Sequence, residues 1–152
     1  IDGVKLSILK QIEDDRGAVL HMMRADNPFF TNFGEVYFSE VKPGIIKGWK
    51  RHQKMTQRLC VPVGLAQFVV YDARDHSKTF GCTQTIRLGR PDHYQLLTIE
   101  PMIWYGFQGL ADYPTLIANC ADMAHDPKES EFMPLDSFSC VSMFESHAVE
   151  QV

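Results

Sequence analysis

Apolar and polar residues alternate over short distances along this chain, and long helical periodicity is absent. Runs rich in β-branched and aromatic residues recur instead, at the ~8–12-residue spacing expected of a sandwich or barrel. They predict strands at residues 4–9, 18–24, 35–41, 45–52, 58–63 and 65–71, then at 83–88, 95–99, 103–108 and 115–120. Turn chemistry separates these runs. Asn27-Pro28, Lys42-Pro43-Gly44, Gly64 and Gly89-Arg90-Pro91-Asp92 supply fixed or permissive φ angles. Residues 59–71 read as a hairpin bent at Gly64, in which Pro62, unable to donate to a ladder, predicts an edge or a bulge. Beyond Asp122 the alternation fades. The stretch AHDPKESEFMPLDS is polar and broken by proline, which predicts a loop, and residues 138–147 predict a short terminal helix. The pattern as a whole predicts an all-β jelly-roll barrel with little helix near the C-terminus.

Composition narrows the setting. The chain has 152 residues, 45% of them apolar and 22% charged, which suits one domain spanning residues 1–152. Fifteen basic against 19 acidic residues give a net charge of −4. That balance argues against a nucleic-acid partner, which needs a positive surface. No apolar stretch approaches the ~18–20 residues needed to span a bilayer, so no membrane partner is expected. The opening IDGVKLSILK lacks the basic-then-apolar layout of a signal peptide, which predicts a cytoplasmic protein. Cys60, Cys82, Cys120 and Cys140 form no CxxC pair and are expected as reduced, mostly buried thiols.

The most informative stretch is GIIKGWKRHQKMTQRLCVPVG, Gly44 to Gly64. It resembles the first motif of the cupins, in which Gly, five residues, His-x-His, a Glu, six residues and a Gly follow in order. Lys50 and His52 occupy the two His places, Gln57 the Glu place and Gly64 the final Gly. Residues two apart on a strand face the same side, so Lys50 and His52 share a face with Ile46 and Gly48 while Trp49 and Arg51 face away. The second cupin motif is echoed by IEPMIWYGF, residues 99–107, with Tyr105 at the usual His. One imidazole, an ammonium, an amide and a phenol make a poor set for a divalent metal, so no metal ligands are assigned.

A narrower resemblance runs through the chain. EDDRG at residues 13–17, IIKGW at 45–49, VVYDARDHSKTFG at 69–81, IEPMIWYGF at 99–107 and NCADMAHDP at 119–127 keep the order and spacing of the dTDP-4-dehydrorhamnose 3,5-epimerase-like cupins. Together they cover roughly residues 3–127. The resemblance implies a cupin-type double-stranded β-helix, a homodimer with no dissociable cofactor, and a nucleotide-sugar substrate for cell-surface polysaccharide synthesis. In that family a His oriented by an Asp removes a proton beside a 4-keto group. A Lys stabilises the enolate, and a Tyr returns a proton on the opposite face.

Carried onto this chain, the resemblance puts Lys50 at the basic His, with His52 the alternative if the register slips. Gln57 stands at the enolate-stabilising Lys, Met123 or Ala124 at the acid Tyr, Tyr105 at another pocket His, and Lys47 at a substrate-binding Arg. Arg16 matches the Arg that contacts the nucleotide end. The implied assignment is Lys50 or His52 as base and Tyr105 as acid, with Arg16, Lys47, Gln57 and Asp122 binding substrate. On residues alone other readings stay open. His52 is equally a hydrogen-bonded barrel histidine, Lys50 a solvent-facing cation, Tyr105 core packing, Arg16 a turn ion pair and Asp122 a sheet cap. Loss of the family's His, Lys and Tyr together also fits a degenerate cupin that binds a sugar without turnover.

Overall fold

The computed structural model describes residues 1–144. The strands run in chain order as β1 Val4–Ile8, β2 Gln11–Asp14, β3 Gly17–Leu20, β4 Glu35–Val41, β5 Ile46–His52, β6 Gln57–Val63 and β7 Leu65–Tyr71. They continue as β8 Thr83–Gly89, β9 Gln95–Ile99, β10 Trp104–Gly109, β11 Thr115–Ala121 and β12 Ser130–Phe132. Two antiparallel sheets of five form the barrel, ordered β1-β9-β6-β11-β4 and β12-β5-β10-β7-β8, with β2-β3 as a separate hairpin. The architecture is the all-β jelly roll that the alternation predicts.

The core lies between the sheets because each contributes alternate apolar side chains to the same space. Leu59, Leu97, Ile99 and Ile117 from the first sheet meet Phe68, Val70, Ile86 and Leu88 from the second. Strands β6 and β7 are buried over most of their length because their outer faces are covered too. Leu20, Met22 and Met23 pack over Cys60, Leu96 and Ala118 on the first sheet. Phe138, Cys140, Val141 and Phe144 pack over Trp49, Val69 and Trp104 on the second. Four free cysteines, three of them buried, follow the expectation from their spacing.

Most strand ends fall within a residue or two of those predicted. Pro62 is explained by a bulge, because the β6–β11 pairing shifts register between Leu116 and Ala118. The specific VVYDARDHSKTFG turn is a closed hydrogen-bonded unit, with the Asp72 carboxylate accepting from Arg74, Ser77 and Thr79 at 2.6–2.8 Å. Arg74 and these hydroxyls hold that carboxyl well below the usual range against the cost of burial.

Three expectations are corrected. Strand β2 was not foreseen, and the run at 18–24 shortens to β3, its hairpin partner. The loop after Asp122 contains β12, whose three residues pair with the edge of β5. Such a strand has no alternation to detect, since the open edge supplies its hydrogen bonds. The terminal helix is replaced by two 3-10 turns, Leu135–Ser137 and Ser139–Met143, and its last residues lie outside those described.

One close approach shapes the site. A Cβ on Gly48 would lie 2.7 Å from Gly106 Cα, so β5 and β10 meet where neither carries a side chain. Tyr105 stands opposite Lys50 and Phe107 opposite Lys47, which leaves one extra residue on β5. This bulge lets Lys47, Gly48 and Lys50 all border the same cavity.

Candidate active site

The barrel opens into a cavity of about 230 Å³ with an apolar floor of Leu59, Ile117, Phe107 and Tyr105. Tyr37, Ser39, Asn119, Lys47 and Lys50 supply its polar groups, and Phe132 of β12 closes one side. A neighbouring recess shares Tyr37 and Lys50 and adds Glu35, His52, Met55 and His125. Strand alternation accounts for much of this lining. Tyr37 and Ser39 of β4 share a face, as do Lys50 and His52 of β5.

His52, on the wall of the recess, belongs to a buried pair. His52 Nδ1 lies 2.5 Å from Glu129 Oε2, and both side chains are 4% exposed. The other carboxylate oxygen accepts from the backbone N–H of Lys54 at 2.6 Å and of Met55 at 2.7 Å. Glu129 arrives from the C-terminal strap. Ser130 pairs opposite His52, the Gln53 N–H donates to the Glu129 carbonyl, and the Trp49 indole N–H donates to the Leu135 carbonyl at 2.9 Å. Trp49 faces away from the cavity, so one strand presents the histidine on one side and anchors its carboxylate partner from the other.

The electrostatics set the protonation states. Burial pulls the His52 pKa below its ordinary value, only partly offset by Glu129, and nearby Lys50 lowers it further. Burial works against the Glu129 carboxylate, yet the Lys54 and Met55 N–H groups and His52 outweigh it and hold its pKa low. The pair is therefore a neutral imidazole beside a carboxylate. An ionised Glu129 only accepts hydrogen bonds, so the ring proton sits on Nδ1 and Nε2 keeps its lone pair. That buried Nε2 has no hydrogen-bond partner. Lys50 is half-buried, its Nζ 5.5 Å from the Phe132 ring centroid. Burial lowers its pKa while Glu129 and Glu35 support the charge.

Lys50, His52 and Tyr105, chosen from the sequence, come together. The Tyr105 ring lies 6.4 Å from that of His52 at an interplanar angle of 16°, and burial pushes its phenol well above the usual value. Lys47 borders the cavity and donates to the Glu40 carbonyl. Three others do not line it. Gln57 is buried behind Tyr37, Asp122 caps the Thr56 N–H at 2.9 Å, and exposed Arg16 pairs with Asp14 at 2.6 Å on the separate hairpin. Among the described residues no three His, Cys, Asp or Glu side chains converge as a metal ligand set.

Sequence reasoning missed Glu129, Tyr37 and Asn119. Glu129 was legible only as one of several acids after Asp122, although the resemblance called for a carboxylate beside the basic His. Tyr37 stood in a correctly bounded strand, two residues from inward-facing Ser39. Asn119 links it to the sheet. The Arg58 N–H donates to Asn119 Oδ1 at 3.0 Å, and Asn119 Nδ2 donates to Tyr37 Oη at 2.9 Å and Gln57 Oε1 at 2.5 Å.

Comparison with known proteins agrees with this architecture. Residues 1–143 match the family described as dTDP-4-dehydrorhamnose 3,5-epimerase. The spore coat polysaccharide biosynthesis protein SpsL of Bacillus subtilis is 34% identical over 131 residues, 86% of each chain. The crystal structure of a dTDP sugar isomerase from Desulfovibrio desulfuricans G20 is 51% identical with a TM-score of 0.88, covering 90% of this chain and 87% of that one. An RmlC epimerase from Legionella pneumophila, solved with dTDP-4-keto-L-rhamnose, shares the fold at 21% identity and a TM-score of 0.78, covering 88% and 73%.

Proposed function

The chain belongs to the dTDP-4-dehydrorhamnose 3,5-epimerase family, and on that premise we propose that it epimerises a dTDP-4-keto-6-deoxy-sugar by abstracting a proton beside the keto group, with no metal in the step. The observation that carries this reading is the His52–Glu129 pair with its unpartnered Nε2. A 4-keto group acidifies the neighbouring C–H bonds. His52 Nε2 takes the proton, Glu129 holds the ring and stabilises the imidazolium, and the Lys50 ammonium faces the enolate oxygen. The base is thus His52 rather than Lys50, which keeps its charge for the oxyanion.

Lys47 at the cavity mouth serves the substrate diphosphate as a charge-assisted donor. The ligand of the Legionella structure, a dTDP-4-keto-sugar, supports this substrate class. The reading places the enzyme in cytoplasmic synthesis of a surface polysaccharide, acting as a homodimer. Exposed Val36 and Phe38 on edge strand β4 offer apolar surface that a second copy would cover. Among the described residues no helix is long and apolar enough to cross a membrane.

Incubation with a dTDP-4-keto-6-deoxy-sugar in D2O tests the reading by mass and proton NMR. Deuterium enters the carbon beside the keto group with the wild type, and His52→Ala slows that entry by ~10³-fold or more. Thermal stabilisation by the nucleotide sugar without exchange would overturn it in favour of a binding protein.

A further inference from the structure

Inversion at carbon needs a proton donor on the face opposite the base. We propose that Tyr37 is that donor, protonating the enolate carbon from the first sheet while His52 works from the second. The proposal rests on the assignment of His52 as base and adds the residue that completes the reaction.

The placement follows from the fold. His52 on β5 and Tyr105 on β10 are neighbours in one sheet, with nearly parallel rings, so Tyr105 shares the wall that carries the base. Tyr37 projects from β4 of the facing sheet and borders both the apolar cavity and the recess that holds His52. A flat enolate lying between the sheets meets the imidazole on one side and the Tyr37 phenol on the other.

The hydrogen bonds around the phenol suit a donor. Because the Arg58 N–H donates to Asn119 Oδ1, the amide is oriented and its Nδ2 must donate. It does so to Tyr37 Oη at 2.9 Å. The hydroxyl's own proton has Gln57 Oε1 within reach only at 3.4 Å, and that oxygen already accepts from Asn119 at 2.5 Å. The proton is therefore weakly held, while the phenolate left after transfer keeps a fixed donor. Burial raises the Tyr37 pKa against the opposing effect of Asn119, so the phenol enters the cycle protonated.

The step balances without any other reagent. His52 Nε2 removes the proton, and the C–H electron pair becomes the enolate double bond as the carbonyl pair moves onto oxygen. On return, that double bond forms a new C–H bond with the Tyr37 proton, the carbonyl re-forms and the phenolate remains. Water entering the cavity then takes a proton from the imidazolium and returns one to Tyr37.

The test is Tyr37→Phe, with Tyr105→Phe beside it, on a dTDP-4-keto-6-deoxy-sugar that the wild type inverts in D2O. Exchange and inversion are read in the same sample. Their ratio is independent of how much protein is folded. For Tyr37→Phe, exchange with retention stays within about tenfold of wild type while inversion falls ~10²–10⁴-fold. Tyr105→Phe keeps the wild-type ratio. An unchanged ratio in Tyr37→Phe, or an equal shift in Tyr105→Phe, overturns the proposal. A wild type that neither exchanges nor inverts refutes the His52 assignment instead, and the donor falls with it.

Discussion

Replacing Glu129 separates the two tasks of its carboxylate. One oxygen accepts two backbone N–H groups and the other orients His52. Glu129→Ala removes all three contacts. The Met55 N–H and the His52 ring N–H are left buried without partners, while the Lys54 N–H regains water at an exposed residue. At ~1–3 kcal/mol per orphaned buried donor and less for the solvated one, the loss is about 4 kcal/mol. For a chain of this size that lowers the melting temperature by roughly 8–16 °C.

Glu129→Gln behaves differently. Its amide oxygen can still accept from Lys54 and Met55, which turns the NH2 toward His52. The ring must then accept at Nδ1 and carry its proton on Nε2, the wrong tautomer for a base. Stability falls by only about 1 kcal/mol, roughly 2–4 °C. Turnover falls by ~10³–10⁴, the scale seen when the orienting carboxylate of a serine-hydrolase triad becomes an amide. Calorimetry paired with the epimerase assay reads both quantities. A Glu129→Gln protein with more than a tenth of wild-type kcat would refute the orienting role, and an Ala variant melting like the wild type would refute the structural one.

Other outcomes follow from the same geometry. The pH profile of kcat/KM should be bell-shaped: activity rises as His52 loses its proton, at a pKa below the ordinary ~6.5, and falls as Lys50 loses its own, below ~10.4. A single alkaline limb with no acid limb between pH 4 and 7 would exclude His52 as the base. Lys50→Met should lower kcat by ~10²–10³ with little change in folding. It should also move the acid limb to higher pH, because the Lys50 charge depresses the His52 pKa; an unmoved limb would contradict that coupling. Gly48→Ala places a methyl 2.7 Å from Gly106 Cα and should cost about 2–3 kcal/mol by overpacking, read as a lower melting temperature.

Much of the fold was legible because a strand half-buried against a core writes its burial into alternate residues. The bounds of β4 follow directly from that rule, those of β7 and β9 from short apolar, β-branched runs buried on both faces, and Gly64 and the Pro43-Gly44 turn mark where the chain reverses. Register on β5 was legible only in part. Parity puts Lys50 and His52 inward and Trp49 outward, but the bulge brings Lys47 to the cavity and packs Ile46 beside Trp49, against the expectation that Ile46 shares the face of Lys50. Chemistry was less accessible. The motif alignment placed Lys50 at the basic position, but only its surroundings show an ammonium beside a neutral imidazole that a carboxylate holds.

The sequence alone thus determined a two-sheet barrel, its turns, its family motifs and the shared face of Lys50 and His52, because these depend on contacts within a few residues or on side-chain period. Tertiary structure decided which acid meets His52 and which phenol shares its recess. Glu129 sits in a polar stretch with no periodicity of its own and reaches the site because β12 completes the open edge of β5, 77 residues away in sequence. Tyr37 and His52 come to border one recess because two sheets close on one core. Pairings of that separation are settled by the burial and hydrogen bonding of the whole barrel, and no local propensity records them.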